Sequence, residues 1–130
     1  VLIERRADVN HQDANKQTPI FYSAKFGNVE VLEVLIQLKA DPALRDLNSQ
    51  SALYYIGRQK GVLWERQMAC VSQLLSGSCR IDDVDKNGQS ALFFAASHSS
   101  DAVRSLLESR ATADLQDSSG QTPLFFAASQ

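Results

Sequence analysis

The chain has 130 residues, enough to bury a core, and its 44% hydrophobic and 22% charged residues are ordinary for a soluble globular protein. A net charge of −2 gives no electrostatic reason to expect nucleic acid or an anionic membrane as partner, and no apolar run approaches the roughly 20 residues that span a bilayer. Nothing at the start reads as a signal peptide, and two cysteines, Cys70 and Cys79, are too few for a disulfide scaffold, which points to a reducing, intracellular and most simply cytoplasmic setting.

In chain order, residues 1–6 read as the tail of a helix. Ala7-Asp8-Val9-Asn10 then opens a turn, Asp13 and Gln17 follow, and Thr18-Pro19-Ile20-Phe21 marks a helix start. There the hydroxyl can accept an orphan backbone N–H, and proline suits the first helical position. Val31, Leu32, Leu35 and Ile36 fall at helical spacing and predict a second, longer helix. The same order returns from Ala40-Asp41-Pro42-Ala43 with Asp46, Gln50 and Ser51-Ala52-Leu53-Tyr54, and its second helix carries Cys70, Val71, Leu74 and Leu75. It returns again from Cys79-Arg80-Ile81-Asp82, with Asp85, Asn87-Gly88, Gln89, Ser90-Ala91-Leu92-Phe93 and then Ala102, Val103, Leu106 and Leu107. A fourth copy runs from Ala111-Thr112-Ala113-Asp114 through Asp117, Ser119-Gly120, Gln121 and Thr122-Pro123-Leu124-Phe125.

The four starts, at 7, 40, 79 and 111, are separated by 33, 39 and 32 residues, and within each copy the helix-start mark follows 11 residues later. A period near 33 residues with a Thr-Pro-Leu-x-x-Ala core resembles the ankyrin repeat. The resemblance covers essentially the whole chain. It implies an all-α solenoid of antiparallel helix pairs, with β-turn or hairpin fingers projecting at one end. Each unit then buries its apolar face only against its neighbours. On this reading residues 1–130 form one array: repeats at about 7–39, 40–78, 79–110 and a truncated 111–130, with 1–6 ending an earlier repeat. Neither end looks like a polar cap, so a parent array continuing both ways is expected.

Several features depart from the family pattern. Phe21, Tyr54, Phe93 and Phe125 stand where the family usually has His, each followed by a second aromatic: Tyr22, Tyr55, Phe94 and Phe126. Either apolar packing replaces a hydrogen bond, or the doublets form an exposed binding stripe. Arg6, Lys39, Ser78 and Arg110 stand where the family favours glycine at the end of the second helix, so a positive φ at a non-glycine residue is expected. The second repeat carries about six extra residues between its helices, within 57–67. A longer loop and an earlier-starting second helix are expected, with Leu63 and Trp64 either packed on their own unit or forming a docking feature at Trp64.

No catalytic constellation, metal-ligand spacing or phosphate-binding glycine loop is present in the sequence, so neither an enzyme nor a cofactor is expected of these residues. His11 and His98 fall in units far apart, and Cys70 and Cys79 read as core thiols. Asn10, with Leu2 eight residues upstream, matches an arrangement hydroxylated in some members of the family.

The resemblance implies a protein partner bound on the concave side, through finger tips and the exposed face of the first helices. Matched residue by residue, the candidates are Gln12, Ala14, Asn15, Gln17, Lys25 and Phe26 in the first unit, and Arg45, Leu47, Asn48, Gln50, Arg58 and Gln59 in the second. The third unit offers Val84, Lys86, Asn87, Gln89, Ser97 and His98, and the fourth Gln116, Ser118, Ser119 and Gln121. This set holds four cations and no acid, which points to an acidic or polar segment as partner, with an apolar contact at Phe26 or Leu47. The recurring Gln17, Gln50, Gln89 and Gln121 read either as a polar ladder for a partner or as finger-to-finger bonding. The expected function is a protein-recognition or scaffolding module acting as a monomer, the alternative being a regulatory or substrate-recruiting domain of a larger enzyme.

Overall fold

The structure is a computed structural model that describes residues 8–77 and 79–129. The expected features at residues 1–6, Leu2, Arg6 and Ser78 lie outside the described residues. The elements run α1 (Pro19–Phe26), α2 (Val29–Gln37), a one-turn 3₁₀ helix (Ala52–Tyr55), α3 (Trp64–Leu75), α4 (Ala91–His98), α5 (Ser100–Glu108) and α6 (Pro123–Ala128), with no strand among the described residues. The first elements stack in chain order, α1 on the 3₁₀ turn, that turn on α4, and α4 on α6. The second elements form a parallel row, α2 on α3 and α3 on α5. Ile20, Leu32, Leu53, Val71, Leu74 and Leu106 lie fully buried between the two rows. This is the all-α repeat solenoid that the period implies.

The aromatic doublets are the pegs of this stack. The first aromatic of each of the first three units is buried and meets the second aromatic of the next unit edge-on: Phe21 with Tyr55 at 5.6 Å, Tyr54 with Phe94 at 5.4 Å, and Phe93 with Phe126 at 6.1 Å between ring centroids. Edge-to-face pairs add about 0.5–1.5 kcal/mol beyond area burial. Tyr54 also reaches the next finger, where its hydroxyl has the Asp83 and Gln89 carbonyls at 2.7 and 2.8 Å. Its single proton donates to one of them at a time. The last member, Phe125, is 57% exposed beside Leu124, because no described helix packs on that side of α6.

Helices begin at the Thr/Ser marks, but the hydroxyl caps only one of them. Thr122 accepts from the Phe125 N–H at 3.3 Å, whereas Thr18, Ser51 and Ser90 make no side-chain cap. At those three positions the extended cap residue offers its own carbonyl instead, to Phe21, Tyr54 and Phe93. The Thr18 and Ser90 hydroxyls are buried without a partner, since the side chains one turn on, Phe21 and Phe93, carry no polar atom. At the other end, Lys39 and Arg110 adopt φ of 70° and 72° where glycine would be at ease, as the missing glycines require.

The second unit departs most. Its first helix is a single 3₁₀ turn, ended by extended Ile56 and by Gly57 at φ 83°. A side chain at Gly57 would collide with Ala102, 2.6 Å from an ideal Cβ, so the extra residues begin where the third unit approaches closely. The segment does not fold back onto its own unit alone. Val62 fills the space above Gly27, and Arg66 donates its Nε to the Gly27 carbonyl at 3.1 Å and its two terminal nitrogens to Glu30. Trp64 turns the other way and lies under the Arg104 guanidinium of the third unit at 4.1 Å. Leu63 is 66% exposed at the α3 cap. The insertion braces both neighbours.

Two substitutions separate packing from capping. Phe93→Ala should cost about 3–5 kcal/mol in urea unfolding, because a fully buried ring and its interlock are lost. Thr18→Val should stay within about 0.5 kcal/mol, against the roughly 1 kcal/mol that a working N-cap is worth.

Candidate functional site

Each finger is closed by one carboxylate. Asp13, Asp46, Asp85 and Asp117 accept through Oδ1 from the backbone N–H groups two and four residues on, at 2.9–3.0 Å. The Asp N–H donates to the carbonyl of the Gln four residues later, so the turn is locked from both sides. The residue before each Gln takes a left-handed conformation: Lys16, Ser49, Gly88 and Gly120, at φ 60–76°. Glycine at the last two meets that requirement without the cost that Lys16 and Ser49 carry.

The second oxygen ties the fingers together. Gln50 Nε2 donates to Asp85 Oδ2 and Gln89 Nε2 to Asp117 Oδ2, both at 3.0 Å. Gln17 reaches Asp46 mainly through Tyr55, donating at 2.8 Å to a hydroxyl that in turn donates to Asp46 Oδ2 at 2.5 Å. The Tyr22 hydroxyl donates to Asp13 in the same way. The amide orientation of each Gln follows from its partner, because a carboxylate only accepts. Gln17, Gln50 and Gln89 are therefore engaged between fingers. Backbone bonds reinforce them, from Leu47 N–H to Asn15 O and from Ser118 N–H to Asn87 O.

This bonding sets the electrostatics. The Gln89 amide and then the Gln121 and Ser119 N–H groups hold the Asp117 carboxyl below the usual carboxylate range, and Tyr22 does the same for Asp13. Burial pushes the Tyr54 and Tyr55 phenols up, so both remain neutral donors. Cys70 and Cys79 are free and buried; burial pushes the Cys70 thiol up to about 11 and raises that of Cys79. A thiol held protonated is a poor nucleophile. No cluster of His, Cys, Asp or Glu among the described residues could hold a metal ion.

The candidate contact residues fall into two groups. Arg45 is committed: its Nη1 donates to the carbonyls of Ser49 at 3.1 Å and Val84 at 2.8 Å, and its Nη2 pairs with Asp83 at 3.1 Å. Gln12 donates back to the Lys16 carbonyl, and the Asn10 amide oxygen accepts from Asp41 N–H at 2.8 Å, bridging to the next unit. Trp64 is partly covered by Arg104. His98 sits at the end of α4 with Nδ1 on the Phe94 carbonyl at 2.7 Å. Exposed and free to meet a partner are Phe26, Leu47, Asn15, Asn48, Gln59, Lys86 and Asn87, with Lys25 lying over the Phe26 ring at 5.5 Å. Arg58 stacks on Tyr55 and Phe94. Sequence reasoning placed Asp83 in an acidic finger base but missed its pairing with Arg45, and missed the tyrosine hydroxyls; for these a buried Tyr in place of Phe was the available signal, since its hydroxyl needs a partner.

Stacked units whose finger-to-finger bonds, among the described residues, join adjacent fingers define a linear repeat module. The pattern described as "Ankyrin repeats (3 copies)" matches residues 61–130, more than half of the chain, and "Ankyrin repeats (many copies)" matches residues 1–36. The chain belongs to the ankyrin-repeat family, a non-catalytic fold that mediates protein–protein interaction. Among its relatives, Palmitoyltransferase AKR1 of Lachancea kluyveri is 30% identical over 112 residues, 85% of this chain and 15% of that protein. Inversin of Mus musculus is 28% identical over 108 residues, 82% of this chain and 10% of that protein. Human inversin is 28% identical over 101 residues, covering 76% and 9%. The chain thus spans only a small part of the relatives it matches. No helix among the described residues is long and apolar enough to cross a membrane.

The depressed Asp13 and Asp117 carboxyls fix the sign of an acid response. A carboxyl whose folded pKa lies below its unfolded value of about 3.9 stabilises the fold above that value and loses the contribution as pH falls through the folded one. The melting temperature should therefore be insensitive to these groups above about pH 5 and fall below about pH 4. Asp117→Asn should flatten that fall in a pH series of thermal melts.

Proposed function

We propose that the chain is a protein-recognition or scaffolding module that binds a partner across its fingers and first helices, the concave side in arrays of this family. The observation that supports it is that large apolar side chains stand exposed at the end of α1 and on the fingers, Phe26, Leu47 and Val84. Around them lie the exposed side chains of Asn15, Asn48, Gln59, Lys86 and Asn87, none of which holds the array together. An extended segment of acidic or polar character, with an apolar anchor at Phe26 or Leu47, fits this mixture of cations, amides and apolar groups. The reading takes the chain as one monomeric array with repeats at about 7–39, 40–78, 79–110 and 111–130, working inside the cell and most simply in the cytoplasm.

A second reading, a regulatory or substrate-recruiting domain of a larger enzyme, draws support from one relative named as a palmitoyltransferase. Both readings use the same face. Affinity purification of the full-length protein should recover at least one partner that is lost with the double substitution Phe26→Ser and Leu47→Ser, while urea unfolding shows the array intact. Partners that persist undiminished through this double substitution would contradict the proposed face.

A further inference from the structure

The four cations predicted to meet a partner are not equivalent in the folded chain. Arg45 is neutralised by Asp83 and bound to two carbonyls. Lys86 is exposed on a finger and makes no bond among the described residues, so its ammonium samples many positions at an entropic cost to any fixed contact. Lys25 lies over an exposed ring of its own helix. Of the four, Arg58 combines an oriented guanidinium with the absence of a carboxylate partner among the described residues.

Its orientation comes from two units at once. The 3₁₀ turn ends at Tyr55, and the left-handed Gly57 swings the chain back so that the Arg58 N–H donates to the Tyr55 carbonyl at 3.2 Å. The guanidinium carbon then lies 5.0 Å from the Tyr55 ring centroid and 5.7 Å from that of Phe94 in the third unit. Nε is buried and makes no hydrogen bond. The two terminal nitrogens make no ion pair or hydrogen bond among the described residues. The carboxylate of the adjoining finger, Asp46, is already occupied, by Asn48 and Gln50 N–H on one oxygen and Tyr55 and Gln17 on the other.

A planar fork stacked on aromatic faces, with its terminal donors open, is pre-organised for bidentate capture of a carboxylate. Phe94 also carries the His98 ring, one helical turn on. Because the Phe94 carbonyl can only accept, Nδ1 is the donor there, and Nε2 is the ring nitrogen left for a ligand. Resting on the proposed partner-binding face, we infer that Arg58 is its charge-reading point: it selects an extended peptide by a Glu or Asp side chain placed opposite the junction of the second and third units. The insertion that follows Arg58 in the chain fixes this junction through Trp64 and Arg104.

The test is selection of random peptides of about a dozen residues on the full chain, followed by calorimetry with the enriched peptides. Competition by Phe26→Ser and Leu47→Ser variants identifies binders of the proposed face. Among them, a Glu or Asp should recur at one position, and replacing it by Gln or Asn should weaken binding about tenfold. Arg58→Gln should produce a similar loss with no further loss for the amide peptide, Arg58→Lys a partial one, and Lys86→Gln less than about twofold. Phe94→Leu, which keeps the charge but removes one stacking face, should lie between parent and Arg58→Gln; urea unfolding of each variant separates this loss from a folding defect, since Phe94 also pairs with Tyr54. Face-binding peptides without a recurrent acid, or unchanged affinity in Arg58→Gln, would overturn this inference and leave the proposed face standing. Failure to select any binder sensitive to Phe26 and Leu47 would overturn both.

Discussion

One carboxylate with two oxygens sets the geometry of every finger. Oδ1 closes the turn by accepting two backbone N–H groups, and at Asp46, Asp85 and Asp117 Oδ2 receives the glutamine of the preceding finger. Removing such a group exposes the backbone donors and severs a link between units in one step, so local shape and array continuity are the same property. The aromatic interlocks do the corresponding work on the apolar side. Because each inner doublet, Tyr54-Tyr55 and Phe93-Phe94, gives one ring to the unit before and one to the unit after, these units do not complete their own cores. Stability is then a sum over neighbours, as in other one-dimensional arrays.

The rows of helices were legible in the sequence because the period and the helix-start marks are local signals repeated four times. The left-handed Lys39 and Arg110 were legible for the same reason, since the geometry of a helix end is fixed whichever residue occupies it. Contacts that cross from one unit to the next were not. Arg45 meets Asp83 across 38 positions of chain, and nothing near either residue announces the other. The caps misled for a different reason: a Ser or Thr at a helix start can bond through its hydroxyl or its carbonyl, and burial of Thr18, Ser51 and Ser90 favoured the carbonyl. The glutamines carried two readings in the sequence, and geometry resolves three of them, Gln17, Gln50 and Gln89, into the ladder.

These structural commitments narrow the proposed binding face. Residues that bond within the ladder are unavailable to a partner except at the cost of the array, which removes Arg45 and those glutamines from the free set. What remains is a smaller surface, apolar at Phe26, Leu47 and Val84 and cationic at Arg58 and Lys86. The insertion contributes by holding its two neighbours at a set distance, through Arg66 to the first unit and Trp64 to the third. A braced junction beneath an exposed finger surface suits recognition of an extended segment, whose ordering entropy must be offset by contacts already in place.

The central claim, that neighbouring units are coupled through the finger carboxylates, is tested most directly by a double-mutant cycle in urea unfolding of the parent, Gln50→Ala, Asp85→Ala and the double variant. The account predicts a coupling energy of about 1 kcal/mol or more, because Gln50 Nε2 and Asp85 Oδ2 are buried partners at 3.0 Å. Additivity within about 0.3 kcal/mol would mean that each finger stands alone, and would contradict it.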